Sequence, residues 1–170
     1  MTATPNLVLT GFMGTGKSAV GRAAAAVLRA TFVDTDTVIE QRHGPIPEIF
    51  ATEGEATFRR YEAALAAELA ASNGLVISTG GGMLLDAAVA TLLGSTGRIF
   101  CLVASPETIL ARVEADGVGG RPLLDDDDPA ARISELLAAR SDAYAAFEQV
   151  DTDGRAVEDI VADVLARFTD

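Results

Sequence analysis

Residues 11–18 limit what this chain can become more than any others. Gly11-Phe12-Met13-Gly14-Thr15-Gly16-Lys17-Ser18 satisfies G-x-x-x-x-G-K-[ST] at every fixed position. The β-rich run Leu7-Val8-Leu9-Thr10 precedes it, and an Ala/Leu/Arg-rich stretch from Lys17 to Ala30 follows. Strand, glycine turn and helix therefore succeed one another, which is the context a phosphate-binding loop needs. In such a loop the backbone N–H groups around Gly14, Thr15 and Gly16 converge on phosphate at a helix N-terminus. Lys17 supplies a compact charge for the β- and γ-phosphates, and the Ser18 hydroxyl a ligand for Mg²⁺. The alternative, a glycine turn with an incidental lysine, sits poorly with the count of cations. Of 13 Lys and Arg residues, Lys17 is the one lysine. The motif indicates ATP or a similar triphosphate and is silent on the acceptor.

Composition narrows the partners. With 170 residues the chain reads as one domain, long enough to bury roughly 70% of its unfolded surface. A formal net charge of −12 argues against nucleic acid and anionic lipid as general partners. The single cysteine, Cys101, lies in the apolar run Ile99-Phe100-Cys101-Leu102-Val103 and reads as a buried thiol. No apolar stretch is long enough to span a membrane and no basic leader opens the chain, so a cytoplasmic protein is expected.

Strand-like runs recur at Thr31–Asp34, Gly74–Thr79, Arg98–Val103 and, weakly, Gln149–Asp151. Helical stretches separate them: Thr37–Ala71, punctuated by Gly44, Pro45, Pro47 and Gly54, then Met83–Leu93, Pro106–Ala115 and Pro129 to about Phe147. A last amphipathic helix spans Ala156–Phe168. This alternation predicts an α/β fold with a parallel sheet covered on both faces, its ligands at the C-terminal edge of the strands.

Four further constellations fall at that edge or in the loops around it. Asp34 and Asp36 flank Thr35 at the end of the second strand. One carboxylate can serve Mg²⁺ and the other accept a proton from an acceptor hydroxyl, while turn and N-cap chemistry is the plainer alternative. Arg59 and Glu62 share a helix face at i, i+3, either as a surface ion pair or with Glu62 orienting Arg59 toward a substrate carboxylate. Thr79-Gly80-Gly81-Gly82 ends the third strand, and three glycines permit close approach of backbone to a small ligand. Thr79 stands where an acidic metal support would be usual, which moves that role to Asp34. Gly119-Gly120-Arg121-Pro122 reads as a lid carrying one arginine toward the triphosphate. In the acidic run that follows, Asp128 is expected to cap the helix opening at Pro129. The sole histidine, His43, reads as a loop residue.

In order and spacing these elements resemble the shikimate kinase family over nearly the full length. The motifs are Gly11–Ser18, Asp34-Thr35-Asp36, Phe58-Arg59 with Glu62, Gly80–Gly82, Arg121-Pro122-Leu123-Leu124, and Arg140 followed by Tyr144. The resemblance implies a nucleoside-monophosphate-kinase-like fold: three layers, α/β/α, around a five-stranded parallel sheet. A shikimate-binding segment would span about 35–62 and a lid about 113–127, within a single domain 1–170. It implies ATP-dependent phosphorylation of the shikimate 3-hydroxyl with Mg²⁺, by a monomer. Carried over by position, Asp36 would bind the ring hydroxyls and act as base, with Lys17 and Arg121 completing the catalytic set. Arg59, Arg140 and Gly81 would hold the carboxylate. Ala19, Arg112 and Arg155 would join the phosphate loop on ATP, Arg112 by stacking on adenine. Asp153-Gly154-Arg155-Ala156 departs from the family in lacking the proline usual in that adenine loop. Two rival readings remain: a kinase of another small hydroxy acid such as gluconate, and a nucleotide-binding module without catalysis.

Overall fold

The computed structural model describes residues 4–116 and 127–169. Arg121 and most of the expected lid lie outside the described residues. Five strands, β1 (Asn6–Gly11), β2 (Thr31–Asp34), β3 (Leu75–Ser78), β4 (Gly97–Val103) and β5 (Glu148–Asp151), form one sheet in the order β2-β3-β1-β4-β5. Every pairing is parallel, with Leu7 opposite Val76 and Arg98, and Asp34 opposite Ser78. All strand C-termini therefore share one edge, and the loop after β1 sits between those after β3 and β4.

Helices α1 (Lys17–Leu28) and α8 (Val157–Thr169) cover one face. Leu7, Leu9, Val76, Phe100 and Leu102 pack there with Val20, Ala24 and Ile160. The opposite face carries α4 (Glu55–Ala70) and α5 (Ala87–Gly94), and receives Val8 and Ile77. Successive strand residues point to opposite faces, so a sheet covered on both sides needs apolar residues at every position, as in Leu7-Val8-Leu9. Phe12, Cys101, Ile133 and Tyr144 form a third cluster with α6 (Pro106–Ala115) and α7 (Pro129–Ala145). Burial pushes the Cys101 thiol up to about 11 against the pull of Lys17, so it is an inert core group.

Between β2 and β3 the punctuated helical stretch resolves into α2 (Thr35–His43), α3 (Ile46–Thr52) and α4. The glycines and prolines mark its breaks, with Gly44 at φ 93° and Gly54 at φ 85°. His43 closes α2 rather than sitting in a loop, and its ring stacks on Tyr61 at 3.6 Å. The expected helix from Met83 is instead a 3₁₀ turn (Met83–Leu85) followed by α5. Asp86 makes the break, its carboxylate accepting from the N–H groups of Ala88 and Val89 as an N-cap. Asp128 caps α7 by accepting from Ala131 N–H, as its place before Pro129 predicts.

Asn6 shows how the sheet is anchored at its opposite edge. Wholly buried, it donates through Nδ2 to Ser72 O at 2.9 Å and accepts from Leu75 N–H through Oδ1 at 2.9 Å. Asn6→Ala leaves the Leu75 N–H without that partner, and a loss of about 1–3 kcal/mol is expected in a urea titration. A loss below about 0.5 kcal/mol would show that the bond contributes little.

Candidate active site

A cleft of about 680 Å³ opens at the C-terminal edge of the sheet. Gly14, Gly16, Lys17, Ser18 and Ala19 line one part of it, and Asp34, Asp36, Arg59, Gly81 and Arg140 another. Residues singled out in five separate stretches of the sequence thus face one cavity.

The phosphate loop is shaped by its own hydrogen bonds. Thr15 Oγ1 donates to Phe12 O at 2.8 Å, and Lys17 Nζ donates to Gly11 O at 2.8 Å and Phe12 O at 2.9 Å. Thr15 is buried beneath the loop rather than lining the cleft. Gly16, the residue before α1, has φ 93°, a left-handed geometry that a side chain at this position would strain. It releases the first N–H groups of α1 toward the cleft, where the helix dipole favours an anion.

Asp34 makes the cap expected of it and also reaches Ser18. Oδ1 accepts from Thr37 N–H at 3.2 Å and caps α2, while Oδ2 accepts from the Ser18 hydroxyl at 2.6 Å. Mg²⁺ retains most of its waters and takes one or two protein oxygens, so this hydroxyl–carboxylate pair fits it. Among the described residues no group of three or more His, Cys, Asp or Glu forms a fuller metal cage.

Asp36 lies in the first turn of α2, and burial followed by the Asp34 charge pushes its carboxyl up to about 6, against the pull of Lys17. Its Oδ1 and the Oε1 of Glu62 are both buried without a hydrogen-bond partner among the described residues. Both reach the space a side chain on Gly80 would fill, at 2.6 Å and 3.1 Å from an ideal Cβ there. Gly82 does the same for Arg59, whose Nη1 lies 2.7 Å from an ideal Cβ. The glycine triplet thus admits the protein's own carboxylates and guanidinium, a closer demand than room for a ligand alone. Thr35, read in the sequence only as a spacer, is fully buried and its Oγ1 accepts from Gly80 N–H at 3.0 Å.

Arg59 and Glu62 form a bond of 2.7 Å with the Glu62 side chain 3% exposed, so the pair is no surface contact. Burial raises the Glu62 carboxyl to about 7 despite Arg59 beside it. Burial opposes the Arg59 charge, yet Glu62 and Glu55 hold its pKa above the ordinary value. Arg140, on α7 and almost wholly buried, places its guanidinium 5.4 Å from the Phe12 ring centroid. Ile46, Pro47, Phe50 and Phe58 complete an apolar wall that the charged motifs do not announce.

Arg112 and Arg155 stand off this cleft. Arg112 donates to Gly14 O at 3.1 Å and to Thr152 Oγ1 and O at 3.0 and 2.9 Å, tying the phosphate loop to the segment after β5. These bonds use the guanidinium edges, whereas stacking uses its face. Arg155 donates to Asp151 O, Asp159 O and Asp163 Oδ2, which draws it back against α8.

A phosphate loop opening onto a cavity that also carries a buried aspartate and two arginines defines a P-loop phosphotransferase on a parallel α/β sheet. The shikimate kinase family model matches residues 13–169. The shikimate kinase of Symbiobacterium thermophilum is 43% identical over 166 residues, covering 96% of this chain and 95% of its own. A shikimate kinase from Acinetobacter baumannii, solved in complex with shikimate, superimposes with a TM-score of 0.91 at 34% identity over 98% of this chain and 93% of that one. A gluconokinase from Sinorhizobium meliloti reaches a TM-score of 0.67 at 20% identity over 99% of this chain and 94% of that one, which shows a shared fold alone. This chain belongs to the shikimate kinase family, and so is an ATP-dependent kinase.

Two outcomes follow from the geometry. Gly82→Ala drives a methyl into the Arg59 guanidinium and is expected to raise the acceptor KM by more than about tenfold, with the ATP KM changed by less than about twofold. Initial-rate kinetics with each substrate varied decides it, and an unchanged acceptor KM would contradict the crowding. Glu62 has a higher pKa folded, about 7, than its ordinary 4.5, so the folded state binds its proton more tightly. Its contribution to stability is complete below 4.5 and disappears as pH rises through about 7. Glu62→Gln is expected to flatten that fall in urea titrations across the interval, and a parallel decline in both proteins would remove Glu62 as its source.

Proposed function

We propose that this chain transfers the γ-phosphoryl group of ATP to the 3-hydroxyl of shikimate, giving shikimate 3-phosphate and ADP. The observation that carries this reading is the meeting in one cleft of Lys17 and Ser18 with Asp36, Arg59 and Arg140. An acceptor with a carboxylate at one end and a reacting hydroxyl at the other spans those two sets. The apolar wall of Ile46, Pro47, Phe50 and Phe58 suits the flat face of a carbocycle better than the open polyol chain of gluconate. Paired arginines also favour catalysis over mere nucleotide binding, because a regulatory module needs no second grip.

Phosphoryl transfer asks for alignment and charge neutralisation more than covalent chemistry. Arg59 and Arg140 hold the carboxylate, Gly81 adds backbone, and Asp36 orients the ring hydroxyls and accepts the proton of the attacking one. A carboxyl raised to about 6 is still mostly ionised at neutral pH and is a stronger base than an ordinary aspartate. Lys17 and the N–H groups of Gly14–Ala19 meet the phosphates. Ser18 would hold Mg²⁺ and Asp34 would support it, and that ion, when bound, spreads the charge on the β- and γ-oxygens. Arg121 is assigned to the phosphates from the lid, and Arg112 to the adenine face. Arg155 has its donors engaged on β5 and α8, so to join ATP it would have to leave them.

ADP release measured over a panel of hydroxy acids tests the reading. Turnover on shikimate is expected, and turnover on gluconate without shikimate would overturn it. Asp36→Asn is expected to lower kcat by about 10²–10⁴ and leave ATP affinity within about threefold. Weakened ATP binding at normal kcat would move Asp36 to the nucleotide side.

A further inference from the structure

Tyr144 belongs to none of the roles above. It lies on α7 one turn after Arg140, so the two side chains share a helix face. It is 5% exposed, and its hydroxyl donates to Gly81 O at 2.7 Å. The positive charge of Arg140 acts on the same phenol, favouring its ionised form against burial, and Arg140 in turn stacks over Phe12 of the phosphate loop. Gly81 is itself closely confined: an ideal Cβ there would lie 3.3 Å from Gly11 O, 3.6 Å from Met13 N and 3.7 Å from Arg140 Nη1. The phenol thus holds the backbone of the glycine triplet at the point where the Arg140 guanidinium comes against it.

Core packing would explain a buried aromatic ring at this position, since Phe12, Cys101 and Ile133 surround it. It would not explain the hydroxyl. A buried hydroxyl is costly unless bonded, and this one spends its single proton on a carbonyl in the cleft wall. With Gly81 held, the wall beside Arg140 is fixed, and a planar directional fork loses grip when it can swing.

We propose that Tyr144 is a positioning residue for the acceptor carboxylate, fixing the Arg140 guanidinium and the Gly81 backbone in one arrangement. Its hydroxyl makes the cleft selective for carboxylate-bearing acceptors over neutral ones of the same shape. The proposal rests on the reading of Arg140 as a carboxylate grip.

Tyr144→Phe tests it, because the ring and its packing remain and only the bridging oxygen is lost. Steady-state kinetics would be run on shikimate and on its analogue with hydroxymethyl in place of the carboxylate, beside thermal melts of each protein. For shikimate the acceptor KM is expected to rise about tenfold, the worth of about one hydrogen bond, with kcat and ATP KM within about twofold. For the neutral analogue the change is expected to stay within about twofold, and in an Arg140→Lys background the shikimate effect is expected to shrink likewise. An unchanged shikimate KM would overturn the proposal. So would an equal rise for both acceptors, which a loosened core would produce, or an undiminished effect in the R140K background. Failure of the wild type to phosphorylate shikimate would instead overturn the proposed function, so the two failures are distinguishable.

Discussion

Glu62 and Arg59 meet at 2.7 Å with the carboxylate almost fully removed from water, and much of the cleft around the glycine triplet is arranged around that bond. A buried carboxylate is costly to desolvate, and one guanidinium on one side does not cancel the cost, as the rise of Glu62 to about 7 shows. Such a pair is a weak source of stability but a strong source of direction, because a planar guanidinium bound along one edge has few orientations left. Its presence makes demands on its neighbours. Gly82 must lack a side chain for Arg59 to lie where it does, and Gly80 must lack one for Glu62 and Asp36 to reach the same space. Thr35 then holds Gly80 by its N–H, joining the start of α2 to the glycine triplet.

An acidic protein that handles polyanions needs its cations concentrated. The chain carries −12 overall, yet Lys17, Arg59 and Arg140 face one cleft, with the N-terminus of α1 adding partial positive charge there. Lysine is used once, where a compact ammonium must sit within loop carbonyls at 2.8 and 2.9 Å. Arginine is used where a flat fork has to be aimed or tied, as at Arg112 with its three bonds to Gly14 and Thr152. The part of the cleft away from the phosphate loop differs in kind, since apolar residues of α3 and α4 supply a wall there beside the charges.

Much of this was legible in the residues because it is local. β2 and α6 run over Thr31–Asp34 and Pro106–Ala115, the ranges their β-rich pattern and N-terminal proline suggest. Asp128 before Pro129 announced its own cap. The break at Asp86 escaped because an alanine- and leucine-rich run favours helix at every position, and the capping aspartate inside it reads as one more polar surface residue. Arg112 and Arg155 could be carried over by position, but their bonds depend on Thr152 and Asp163, which no spacing rule connects to a nucleotide.

The sequence by itself determined the phosphate loop, the strand–helix alternation and thereby the sheet edge at which ligands gather. Those follow from short-range periodicity and from glycines whose backbone geometry is set within a few residues. The tertiary structure decided which side chains share one cavity, that Glu62 is buried rather than solvated, and that the glycine triplet receives the protein's own carboxylates and guanidinium. Each of those joins residues from separate strands and helices. Burial and hydrogen bonding across such distances arise only when the parallel sheet brings the loops after β1, β2 and β3 together with α7.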